Sequence, residues 1–150
     1  MAKYAKGTSV SVEKSKIEIE RVLRKYGASG FFSAWDGDEA HLGFRIEGRV
    51  IKMQILLPPR DIFLHTATGK ERLDNVVDKH WEQSCRQHWR ALLLVIKAKL
   101  EAVECGISTI EREFLADVVL PDGKTLGSWI GPQLEAAFTG KKMPKLLKGI

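Results

Sequence analysis

Gly123-Lys124-Thr125, Cys85 with His88, the acids around Asp36, and a run of lysines and arginines are the parts of this sequence that could do chemistry. Gly-Lys-Thr ends the phosphate-binding P-loop, in which backbone N–H groups cradle phosphates and the lysine reaches them. The full pattern needs a glycine five residues before Gly123, and Val118 stands there. It also needs a strand before and a long helix directly after, so Pro121-Asp122-Gly123 reads instead as a turn. Cys85 and His88 are three residues apart and, on a helix, could touch one metal ion. A structural zinc site wants four ligands, and His80 lies roughly 140° around the helix from Cys85. The pair reads as a core thiol and a buried or interfacial imidazole. A cysteine nucleophile would need a base and an orienting group, and no pattern marks either. Asp36, Asp38 and Glu39, with Glu47 beyond, could hold magnesium as nuclease carboxylates do. The nuclease spacing continues Glu-X-Lys on the next strand, whereas Glu47 runs into Gly48-Arg49. Turn chemistry accounts for these acids more simply. A metal-dependent nuclease is the enzymatic alternative; the leading expectation is no enzyme, no cofactor and no metal site.

What remains is charge. The chain carries 24 Lys+Arg against 19 Asp+Glu, a net +5 that favours anionic partners. Lys79, Gln83, Arg86, Arg90, Leu94 and Lys97 recur at spacings that hold them on one flank of a helix. Arg45 and Lys52, with Arg49 near the turn, fall on the polar side of a hairpin. Trp35, Trp81 and Trp89 could stack bases, and a positive groove with stacking platforms is how single strands are held without sequence readout. The expected contact set is therefore Arg45, Arg49, Lys52, Lys79, Arg86, Arg90, Lys97 and Trp89. Glu82, Glu101 and Glu104 dilute it.

The elements that must position these residues follow from period and punctuation. Ser11 caps a helix running to Tyr26, with Val12, Ile19, Val22, Leu23 and Tyr26 on one face and Gly27 after it. The period then becomes two. Ser29 to Trp35 reads as a strand ending at Asp36-Gly37-Asp38. Glu47-Gly48 as a two-residue loop pairs Ile46 with Arg49, Phe44 with Ile51, Leu42 with Met53 and Ala40 with Ile55, an apolar face. Pro58-Pro59 ends the sheet. Glu71 to Cys105 holds neither proline nor glycine and reads as one helix of about 50 Å. Its core seam is Leu73, Val77, Trp81, His88, Leu92, Ile96, Leu100 and Val103. Ser108-Thr109-Ile110-Glu111 resembles a capping box that opens a short helix to about Val118. Gly131-Pro132 starts a last helix ending near Gly140. The fold expected is α+β in a single domain over residues 1–150: a helix, a three-stranded antiparallel sheet, a long helix packed on it and two short C-terminal helices. Residues 1–10 and 141–150 read as loose basic tails. Phe44, Leu42, Ile51, Met53, Leu92, Ile96 and Leu100 should centre the core.

Cys85 and Cys105 sit too far apart on that helix to pair, at roughly 30 Å, and free thiols suit a reducing compartment. The opening residues lack the apolar segment of a signal peptide, and no apolar run is long enough for a membrane span. A cytoplasmic location is expected. The stretch WEQSCRQHWRALLLVIKAKLEAVECGISTIEREFLADVVLPDGKTLGSWI, residues 81–130, and the hairpin with its YGASGFF lead-in resemble a group of small proteins of bacteriophages and prophages. The resemblance implies a phage accessory protein working in the bacterial host cell, and carries no catalytic residues over. Two functions follow as expectations. One is non-enzymatic binding of nucleic acid, single-stranded or nonspecific DNA, in phage recombination or replication. The other is a protein inhibitor or adaptor acting on a host or phage nucleic-acid or defence complex, in the manner of an anti-CRISPR. The open sheet also leaves edges able to pair between copies, so a homo-oligomer is compatible with either.

Overall fold

The computed structural model describes residues 3–142. The last eight residues of the expected C-terminal tail, 143–150, lie outside the described residues. Helix α1 (Val12–Lys25) begins where the Ser11 side chain accepts from the Lys14 N–H. Strands β1 (Gly30–Asp36), β2 (Glu39–Ile46) and β3 (Arg49–Leu56) follow as an antiparallel sheet in the order β1-β2-β3. Helix α2 (Asp74–Glu104) crosses behind it, and α3 (Ile110–Glu113) and α4 (Leu126–Gly140) complete the α+β fold.

The hairpin has the expected register: Ile46 faces Arg49, Phe44 faces Ile51, Leu42 faces Met53 and Ala40 faces Ile55. Its loop puts both Glu47 and Gly48 at positive φ, 47° and 73°. That matches the twist of the flanking strands but strains the glutamate. Ala40, Leu42, Phe44, Ile46, Ile51, Met53 and Ile55 are buried against Ile19 and Leu23 of α1 and Trp89, Leu93, Ile96 and Leu100 of α2. Phe114 closes the far end edge-on to Phe44, centroids 5.3 Å apart.

The seam of α2 differs from the one expected. Leu73 precedes the helix and is 74% exposed. Its buried residues are Val77, Cys85, Trp89, Leu93, Ile96 and Leu100, so Trp89 and Leu93 displace His88 and Leu92 from the centre. Leu92 packs only at the margin. The cause lies in Ala91–Ile96, apolar on every side: the larger indole beside it decides which flank turns inward.

The C-terminal helices also correct the expectation. Thr109 rather than Ser108 caps α3, accepting from the Arg112 N–H, and α3 is a single turn. Helix α4 starts at Leu126 under Thr125, whose hydroxyl accepts from the Ser128 N–H. Pro132 is therefore inside α4 rather than at its start. The cap outweighs the bond that proline withholds from Ser128.

Residues 1–2 of the expected N-terminal tail lie outside the described residues, and the stretch Tyr4 to Thr8 is docked rather than loose. Gln83 Nε2 donates to the carbonyls of Lys6 and Thr8, at 3.0 and 2.9 Å, and Gln87 Nε2 donates to that of Tyr4. Among the described residues, no helix is long and apolar enough to cross a membrane.

Candidate functional site

The flank of α2 that carries Lys79, Arg86, Arg90 and Lys97 is mostly an internal joint. Arg90 Nη1 donates to Glu18 Oε2 of α1 at 2.9 Å, and its side chain is only 19% exposed. Arg86 is half-buried and bonds Gln83, the residue that grips the arm. Trp89 is 2% exposed beneath the Lys16 ammonium, 4.9 Å from its ring centroid, so no base can stack on it. Arg49 is tied to Glu111 at 2.7 Å. Lys79 and Lys97 remain exposed at the two ends, about 27 Å apart along the helix. The stripe expected to hold a polyanion thus docks α1 and the arm, and its charge is partly neutralised there.

Arg45 and Lys52 do share a free surface. Because β1 pairs with β2 and β2 with β3, the outer sheet face is a set of cross-strand rows. The first row is Gly30, Arg45 and Val50. The second is Phe32, Gly43 and Lys52, and the third is Ala34, His41 and Gln54. The Phe32 ring lies across Gly43: a Cβ built there would come within 2.0 Å of Phe32 Cε1 and Cζ. The glycine is buried by the ring, while the ring itself stays 45% exposed. Lys52 flanks it on the next strand.

Beside this platform a cleft of about 500 Å³ opens between the sheet and the start of α4. His41, Lys52 and Gln54 form one wall, and Asp117, Lys124 and Ser128 the other. The second wall is held on β3 by the Val119 N–H donating to the Val50 carbonyl at 2.9 Å. Burial pushes the Asp117 carboxyl above its ordinary value, and Lys99 partly opposes that. Among the described residues His41 Nδ1 is buried without a hydrogen-bond partner, and its Nε2 lies 3.6 Å from Glu39. The Gly123-Lys124-Thr125 segment does lead straight into a helix, contrary to the expectation. It is still a turn: the Gly123 N–H donates to the Leu120 carbonyl, and the Leu120 N–H to that of Lys124. Thr125 is occupied as the α4 cap, so Lys124 alone faces the cleft with a charge from this motif.

Cys85 is buried, which raises its thiol pKa, and His88 Nδ1 is 2.7 Å from the Ser84 carbonyl. Among the described residues, no three His, Cys, Asp or Glu side chains gather as metal ligands. Sequence reasoning missed Phe32 and the pairing of Lys52 with Lys124. For Phe32 a signal existed: taking Gly37-Asp38 as a two-residue loop sets Phe32 opposite Gly43, a bulky ring against a missing side chain. The chain matches no family model, no curated protein and no solved structure.

Proposed function

We propose that this protein binds single-stranded nucleic acid without sequence readout, across the outer face of its sheet. A base stacks on Phe32, and phosphates lie along Lys52 and Lys124, with Arg45 at the rim. The observation that carries this is the half-exposed Phe32 ring seated on Gly43 with Lys52 in the same cross-strand row. An aromatic held open on a sheet between cations is a platform any base can use, since every base has a π-face. The positive residues reach backbone phosphates, which carry affinity but no sequence information. The setting we propose is phage DNA recombination or replication, which the sequence resemblance implies.

Fluorescence anisotropy with labelled single-stranded oligonucleotides tests it. Affinity should fall as salt rises, with log K dropping about 0.7 per phosphate contact per decade of salt, so a slope of about −1.4 for Lys52 and Lys124. Absence of binding at low salt contradicts the proposal.

The second reading, a protein-directed inhibitor or adaptor, is favoured by α4. It has no buried residue and leaves Trp129, Leu134 and Phe138 exposed. Pull-down from nuclease-treated bacterial lysate separates the two. A stoichiometric protein lost on Phe138→Glu supports it, and an empty lane removes it.

A further inference from the structure

The sheet has two edges, and they differ. The β3 edge is covered in part by Val118 and Val119, which pair with Ile51 and Val50. The β1 edge is bare among the described residues. Which of its backbone groups point outward follows from the loops. A two-residue loop closes on a pair that exchanges both N–H···O bonds. Glu47-Gly48 closes on Ile46 and Arg49, and Gly37-Asp38 on Asp36 and Glu39. Alternation then turns Gly30, Phe32, Ala34 and Asp36 toward β2, and Phe31, Ser33 and Trp35 away from it. The same alternation turns Val50 outward on β3, where it accepts from Val119.

Edges of this kind are normally blunted by lysine, proline or a bulge. Gly30-Phe31-Phe32-Ser33-Ala34-Trp35-Asp36 has no proline and no basic residue, and its register with β2 is unbroken. It is also self-complementary. Two copies antiparallel about Ser33 would bring Phe31 opposite Trp35 of the second copy, Ser33 opposite Ser33, and Trp35 opposite Phe31. All three positions have outward N–H and C=O groups, so each pair exchanges both bonds. Trp35, 76% exposed in one copy, would gain an aromatic partner across the strands. Asp36 of the second copy would enter the row of Gly30 and Arg45, with no side chain on the glycine to separate the opposite charges.

We infer that the occupant of the β1 edge is a second copy of this chain, joined β1 to β1 around a two-fold axis at Ser33, which makes one six-stranded sheet. The two Phe32 residues then are diagonal neighbours on the same outer face, their backbone positions about 7–8 Å apart, and each ring leans away from the seam over its own Gly43. The partner copy thereby contributes the second half of a two-base platform. That last consequence rests on the sheet-face reading; the dimer does not. Arg45 turns to Asp36 of the partner copy, and phosphate contact concentrates on Lys52 and Lys124.

Sedimentation equilibrium over a concentration series, without nucleic acid, tests the dimer. The unaltered chain should approach twice its 16.9 kDa mass. Ser33→Lys and Ser33→Glu each set like charges directly opposite at the axis and should sediment as monomers, whereas an equimolar mixture should recover the dimer. The Ser33 N–H points away from β2, so neither change touches the ladder within the chain. Lys52→Glu should leave the dimer intact while weakening oligonucleotide binding, which separates failure of this inference from failure of the binding proposal. A monomeric unaltered chain, a dimeric Ser33→Lys chain, or a mixture that stays monomeric overturns the inference.

Discussion

Gly43 has no side chain because Phe32 occupies the space. Gly43→Ala should cost about 1–3 kcal/mol, since the ring must swing off the sheet. In a Phe32→Ala background the same change should instead stabilise by about 0.5–1 kcal/mol, because alanine outperforms glycine in a strand once the clash is gone. A double-mutant cycle by urea denaturation reads this reversal of sign, and additive effects would show that the ring does not sit there. Titration gives a second residue-level prediction. The Asp117 carboxyl is raised chiefly by burial. A raised folded-state value contributes stability below the ordinary carboxylate value and loses it as pH rises through the folded value. Asp117→Asn should therefore raise Tm at neutral pH, with the gain vanishing in acid. Glu101 behaves oppositely: the Tyr26 hydroxyl, donating at 2.8 Å, lowers its carboxyl, so that contribution is lost as pH falls. A Tm gain on Asp117→Asn that persists in acid would contradict the burial argument.

At the scale of elements, the charged flank of α2 is a clamp. Arg90→Ala leaves Glu18 without its partner and frees the joint between α1 and α2. It should lower stability by about 1–2 kcal/mol while leaving oligonucleotide affinity unchanged. The hairpin loop offers the reverse. Asparagine tolerates positive φ better than glutamate, so Glu47→Asn should stabilise by about 0.5–1 kcal/mol, read as a shift in the denaturation midpoint. The hairpin was legible in sequence because strict alternation and Glu47-Gly48 admit one register. The α2 seam was legible only to within one residue, since Ala91–Ile96 is apolar on all sides and periodicity has no contrast there. The clamp was not legible. Its partners at Tyr4, Lys6 and Thr8 are backbone carbonyls, which every residue carries, and Glu18 lies 72 positions from Arg90. Spacing along one helix shows that cations are aligned, and says nothing about what lies over them.

For the molecule as a whole, the net +5 charge is spent unevenly. Arg49, Arg60 and Arg90 are paired with the chain's own acids, while Lys52 and Lys124 line one open cleft beside Phe32. A nucleic acid should therefore choose the sheet face over the longer helical row. The direct test compares two charge reversals by anisotropy at one low salt concentration. Lys52→Glu with Phe32→Ala removes the platform, and Lys79→Glu with Lys97→Glu alters the exposed ends of the helix by a greater charge. Loss of one stacked base alone is worth about 1–3 kcal/mol, or roughly five- to 160-fold in affinity. The platform pair should lose at least that much and the helix pair severalfold less. Equal affinity in the platform pair and the unaltered chain, with binding abolished by the helix pair, would contradict the sheet-face account.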